Sequence, residues 1–262
     1  MAQRSFLGVF SQTARLKPRA QQQILNVYTT LASTTASSVA GYYAADRFPM
    51  IEASSTLLAI GALLLSAAVF LMAPTPNNLS QRRTMLWGIG LITGALLHPA
   101  VAPLMYIGYA DVVYMALGVT AALFGSFSVA VMTSDRAQVV YGVGAATYAV
   151  LSLSWVGLVN WFYPTRALSS LTLLLGLAMP CISVVINTSS MLEQAALGVD
   201  IDPVSHSLAF FNDLIRMFVN LLVLLSGDKS RRDEEDYQNG KPRRKSHGHR
   251  QFYRESGTGF WE

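Results

Sequence analysis

Seven apolar windows run through this chain, and each is long enough to cross a hydrocarbon core about 30 Å thick, which takes roughly 20 apolar residues of α-helix. Their limits are Leu25 to Ala45, Met50 to Ala73, Met85 to Ile107, Asp111 to Thr133, Gln138 to Val159, Ala167 to Asn187 and Ser205 to Ser226. The connectors are short, so the windows make one polytopic membrane domain over 25–226 and leave no room for a large soluble domain. Only 13% of the residues are charged, where a soluble domain carries about 25%. Nine of the 19 Lys and Arg residues follow Ser226. The expected fold is all-α with seven transmembrane helices, flanked by a basic N-terminal segment, 1–24, and a charged tail, 227–262.

The tail combines mixed charge with Gly and Pro and holds almost no aliphatic residue, so it is expected to be disordered. Lys241, Arg243, Arg244 and Lys245 suit either contact with anionic lipid headgroups or plain solvation. His247 and His249 are too few for a metal site. At the other end, Arg4, Arg15, Lys17 and Arg19 occur without an acid and without the apolar core of a secretory leader. That composition fits a cytosolic basic flank or a mitochondrial presequence. The single cysteine, Cys181, permits no intramolecular disulfide and reads as a small core residue.

Basic residues in short loops set orientation. Arg82, Arg83 and Arg136 fall on the same side as the N-terminal four, against Arg47 and Arg166 opposite, so the N-terminus is expected in the cytosol. Seven full spans then carry the nine basic residues of the tail to the far side, against the same rule. Either the tail lies opposite the cytosol, or the seventh window, with His206, Asn212, Asp213, Arg216 and Asn220, is a re-entrant segment.

Within lipid, helices associate through small residues that let backbones approach. Gly90 with Gly94, Gly142 with Ala146, and a first window built largely of Ser, Thr and Ala supply them. Pro99, Pro103 and Pro180 mark irregular backbone. His98 precedes Pro99 and reads as a proton-path residue or as a histidine bonded to a neighbouring helix. Ionisable groups at bilayer depth are costly, which makes the seventh window the strongest functional signal. Asp213, Arg216 and Asn220 form a polar stripe expected to face inward, either as a functional site or as an Asp213–Arg216 pair that eases insertion.

Three stretches, KPRAQQQILNVYTTLASTTASSVAGYY from Lys17, LMAPTP from Leu71, and INTSSMLEQAALGVDIDPVSHSLAFFNDLIRMFVNLLVLLS from Ile186, resemble the transmembrane Bax-inhibitor-motif family, especially its Bax inhibitor-1 branch. The resemblance covers Lys17 to Ser226. It implies a seven-helix bundle with the last helix central, in the endoplasmic reticulum or a related intracellular membrane; the alternative, the mitochondrial inner membrane, comes from the acid-free basic N-terminus and not from the resemblance. It further implies calcium leak and suppression of stress-induced cell death. In the family, two aspartates on the sixth and seventh helices share a proton and sense pH, because two close carboxylates cannot both ionise cheaply. The seventh-helix aspartate falls on Asp213 and the sixth-helix one on Asn187, an amide that cannot titrate. The expected function is therefore a calcium leak with a weakened pH response. The ion pathway would run past Asp213, Asn187 and Arg216, with calcium transported and transiently touching Asp213.

The alternative is a non-conducting interaction protein regulating cell death or stress signalling through partner proteins. No resident metal, cofactor or nucleic-acid partner is expected. An aspartyl protease needs two intramembrane acids and only Asp213 qualifies, while Gly125-Ser126-Phe127-Ser128 is not a serine-nucleophile motif. A seven-helix receptor is disfavoured because no Tyr follows Asp135-Arg136 and no Asn-Pro-x-x-Tyr closes the seventh window. Glu52, Glu193, Asp200 and Asp202 read as solvated loop acids.

Overall fold

The computed structural model describes residues 18–48, 50–51, 54–133 and 166–238. The expected fifth span with its Gly142 and Ala146 pair, Asp135-Arg136, most of the basic N-terminal segment, Glu52 and the distal tail from 239 lie outside the described residues. Six helices are described: α1 (Pro18–Arg47), α2 (Ser55–Leu71), α3 (Leu79–Tyr106), α4 (Ala110–Thr133), α5 (Arg166–Leu197) and α6 (Pro203–Gln238). No strand occurs among the described residues. Three stretches are long and apolar enough to cross a membrane, namely Leu79–Tyr106, Ala110–Met132 and Pro203–Arg231, and α2 is a shorter apolar helix.

The polar composition of α1 is reconciled with a helix by local hydrogen bonding. Thr30 donates to the Asn26 carbonyl at 2.7 Å, Thr34 to Thr30 at 2.8 Å and Thr35 to Leu31 at 3.0 Å, so these hydroxyls are satisfied within the helix. What α1 lacks in bulk it gains in close approach to α3. A Cβ on Gly41 would overlap the Leu91 backbone and one on Gly94 the Ser38 backbone, while one on Gly90 would lie 2.7 Å from the Thr34 carbonyl oxygen. The expected Gly90 and Gly94 pair is thus a real contact surface. Trp87 seals it by donating its indole N–H to Ser33 Oγ at 3.0 Å while accepting at its carbonyl from Ser37 at 2.7 Å.

The last helix packs against each of the other five. Its buried face carries Val204, Leu208, Phe211, Met217 and Leu221. Asp202 caps its start, accepting from the Val204 amide at 3.1 Å, with Pro203 in the first helical position, where no backbone donor is needed.

At its far end Lys229 bonds Asp111 at 2.6 Å and lies 4.5 Å from the centre of the Tyr109 ring. Asp111 opens α4 at the end of the bundle where α3 finishes, opposite the end where Arg82 opens α3. The seventh window therefore traverses the whole bundle, which overturns the re-entrant alternative. The helix also continues to Gln238, so the tail is helical for twelve residues beyond the expected boundary at 227. The Lys229 contact supports this extension.

Candidate functional site

Asp213 lies ten residues after Pro203, the start of α6, and is 4% exposed. Its side chain points at α5, where the run through Pro180 continues as helix to Leu197 and carries Asn187 well inside the element. The Asn187 amide donates to Asp213 Oδ2 at 3.3 Å and also to Ser183 Oγ at 3.3 Å. The two positions singled out in the sequence are thus brought together as an acid beside an amide. Among the described residues no basic side chain reaches Asp213 within salt-bridge distance.

Arg216 does not join them. It is exposed, as is Asn212 four residues earlier, and both lie on the outward arc of α6 with Val223. A three-residue step leaves the side chain about 60° from the starting direction, and because Asp213 sits at the edge of the buried face this carries Arg216 past that edge. The inward stripe and the Asp213–Arg216 pair are therefore corrected: Asp213 faces in and Arg216 out. Asn220 serves packing, donating to the Gly176 carbonyl at 2.9 Å and to the Arg216 carbonyl at 2.9 Å. A Cβ at Gly176 would meet Asn220 Oδ1 at 2.9 Å, so α5 and α6 approach closely here.

A second polar centre, absent from the expected site, lies at the end of the bundle where α3 and α6 begin. Arg82 enters it as a residue only 2% exposed. Its guanidinium donates to the Val69 carbonyl at 3.2 and 3.3 Å, to Asp202 Oδ2 at 2.8 Å and to Ser205 Oγ at 3.0 Å. Ser205 in turn donates to Asp202 Oδ2 at 2.6 Å. Asp202, expected to be a solvated loop acid, is instead the anion of a buried clasp joining α2, α3 and α6. Burial opposes ionisation of Asp202, but the hydrogen bonds from Arg82 and Ser205, the Arg82 charge and the Val204 amide together hold its carboxyl below the usual carboxylate value. Asp200 and Glu193 are exposed as expected, and Asp200 accepts from Arg19 at 3.0 Å and Gln23 at 2.8 Å.

His98 settles as a histidine facing a neighbouring helix. It is buried, its Nε2 lies 3.5 Å from Asp46 Oδ1 of α1, and its ring centre lies 5.3 Å from that of Tyr42. Cys181 is buried in the core with a free thiol, in keeping with its expected packing role.

These features define a helical membrane protein whose central last helix holds one buried carboxylate against an amide of the preceding helix. The family described as "Inhibitor of apoptosis-promoting Bax1" matches residues 20–231, and the chain belongs to that family. It is 27% identical over 226 residues to "Bax inhibitor 1" of Homo sapiens, covering 85% of this chain and 92% of that protein. It is 26% identical over 219 residues to the Arabidopsis thaliana protein of the same name, covering 82% and 86% of the two chains. The Drosophila melanogaster protein, also "Bax inhibitor 1", is 24% identical over 225 residues, covering 86% and 90%. The likeness therefore extends through every described helix.

Proposed function

We propose that this protein is a calcium leak channel of an intracellular membrane and a suppressor of stress-induced apoptosis, with a pH response weakened by Asn187. The reading places it in the endoplasmic reticulum membrane, with seven spans that include the window at 138–159, and it names the mitochondrial inner membrane as the alternative. The observation that carries it is the Asp213–Asn187 contact at the centre of the bundle. A carboxylate held there without a salt-bridge partner among the described residues offers a cation a favourable point at bilayer depth. The membership in a family named for inhibiting apoptosis supports the cell-death half of the reading.

The amide at Asn187 supports the weakened pH response. Two carboxylates sharing a proton change packing when that proton leaves; an amide holds its N–H at every pH in the physiological range. The reading assigns no catalytic chemistry, no resident cofactor or metal and no nucleic acid, and its contacts are the bilayer, calcium ions and regulatory proteins of cell death.

The test is calcium efflux from liposomes holding the purified full chain between about pH 6 and 8, the range that brackets physiological titration. Asp213→Asn is expected to abolish most of the flux, and Asn187→Asp to restore a steep pH dependence that the natural protein lacks. Flux indifferent to both substitutions, from protein shown to be folded, would sink the channel reading. A non-conducting interaction protein would then be favoured, for which truncation after Gln238 should abolish cell protection while Asp213→Asn preserves it.

A further inference from the structure

Pro180 is buried inside α5, which continues as helix on both sides of it. A proline has no backbone N–H, so in an α-helix the carbonyl four residues earlier loses its donor. In α5 that carbonyl belongs to Gly176. A peptide oxygen without a donor is costly at membrane depth, and spanning helices tolerate such prolines because neighbouring groups answer the freed oxygen. Here the answer comes from α6: the Asn220 amide donates to the Gly176 carbonyl at 2.9 Å.

The details fit the bond to that purpose. The same nitrogen donates to the Arg216 carbonyl of its own helix at 2.9 Å, so both amide protons are committed and the nitrogen is held toward α5. Gly176 supplies the room, because a Cβ there would meet Asn220 Oδ1 at 2.9 Å and Cγ at 3.3 Å. The surroundings are apolar, with Leu177 packed against the cluster that contains Phe218, Leu221 and Leu222. Gly176, Pro180 and Asn220 thus explain one another: the proline frees an oxygen, the glycine lets the partner helix approach it, and the amide bonds it.

Position ties this bond to the buried acid. Asn220 follows Asp213 by seven residues on α6 and Gly176 precedes Asn187 by eleven on α5, about two and three helical turns. Each pair therefore lies on one face of its helix, and the same face of α5 makes both contacts with α6. A rotation of α5 that carried the Gly176 oxygen toward another donor would carry Asn187 away from Asp213.

We propose that Asn220 is a positioning residue: it replaces the N–H lost at Pro180 and, by fixing the rotation of α5 against α6, holds Asn187 on Asp213. The bearing on ion passage rests on the channel reading; the bond to the proline-freed carbonyl does not.

Thermal melting of the full chain in detergent tests that bond by a double-mutant cycle. Asn220→Leu, close to asparagine in shape, should lower the melting temperature of the natural chain strongly. In a Pro180→Ala background, where residue 180 supplies its own N–H, the same substitution should cost far less. A leucine that merely packs badly against Gly176 would cost the same in both. Equal losses in the two backgrounds would overturn the proposal, and so would an Asn220→Leu chain that fails to fold and is not recovered by Pro180→Ala. In liposomes Asn220→Leu should lower calcium flux with Asp213 intact, and the double variant should regain it. Flux unchanged in Asn220→Leu, or as low in the double variant, would overturn the positioning role and leave the bond to the freed carbonyl standing. A natural chain without flux that still shows the coupling in melting would count against the channel reading and not against the Asn220 bond.

Discussion

A single acid in a long apolar helix is conspicuous, and Asp213 could be read from the sequence for that reason. Its partner came from the resemblance, and the Asn187 amide lies 3.3 Å from the carboxylate. Arg216 departs from the expected stripe because Asp213 sits at the edge of the broad buried face of α6, so a further turn of about 60° carries the arginine out of it. Arg82 was missed because it was counted only as an orientation charge. Its register was informative: Arg82, Leu86 and Ile89 follow at i, i+4 and i+7, so the arginine occupies the buried face of α3.

The clasp it forms gives a pH prediction. The folded-state carboxyl of Asp202 is lowered, so its contribution to stability is complete above the unfolded value and disappears as pH falls through the folded one. Asp202→Asn should destabilise the detergent-solubilised protein by on the order of 3 kcal/mol at neutral pH, because Arg82 is left buried without its anion. The gap between variant and natural chain in thermal melting should stay constant from about pH 8 to 5 and close only below the usual carboxylate value near 3.9. A gap that closes between about pH 7 and 6 would show that another group controls the clasp.

At the scale of elements, hydropathy located the windows but not the helix lengths, since helices continue past the lipid wherever polar residues find partners. α5 runs ten residues beyond the expected end at Asn187, and α6 twelve beyond Ser226. The interface between α1 and α3 was more legible, because glycines a turn apart in an apolar helix have few reasons to be there other than contact. Its energetics give a signed pair of predictions. Gly94→Ala forces a methyl into the Ser38 backbone and should destabilise by about 1–3 kcal/mol or more. Gly61→Ala on α2 meets nothing nearer than the Ile92 Cδ1 at 4.0 Å, so it should be neutral or stabilise by about 0.5–1 kcal/mol through lost backbone freedom in the unfolded chain. Thermal melting of the two purified variants beside the natural chain decides it; equal shifts would mean the α1–α3 approach is looser than described.

At the scale of the whole molecule, the charge count along the sequence contradicts itself, and the course of α6 bears on that conflict. The helix begins at the Arg82–Asp202 clasp and reaches Lys229 beside Asp111, so the two ends of its apolar stretch are at opposite ends of the bundle. From Pro203 to Lys229 the rise of about 1.5 Å per residue gives roughly 40 Å, enough to cross the hydrocarbon core of about 30 Å with its polar margins. Lys229 then lies where an ammonium is tolerated, held by Asp111 and the Tyr109 ring and free of the membrane interior. On the expected seven-span arrangement, the packing of the central helix against every described neighbour would outweigh the positive-inside tendency at its far end. In a Cys181→Ala background, Asn77→Cys near the start of α3 and Ser230→Cys near the Lys229 contact, both exposed positions, should react with a membrane-impermeant maleimide from opposite sides of sealed vesicles. The Asn77 side is expected to face the cytosol, as its neighbouring Arg82 and Arg83 imply. Labelling of both from one side would mean that α6 leaves the bundle on the side it entered, and the traverse from Asp202 to Lys229 would have to be abandoned.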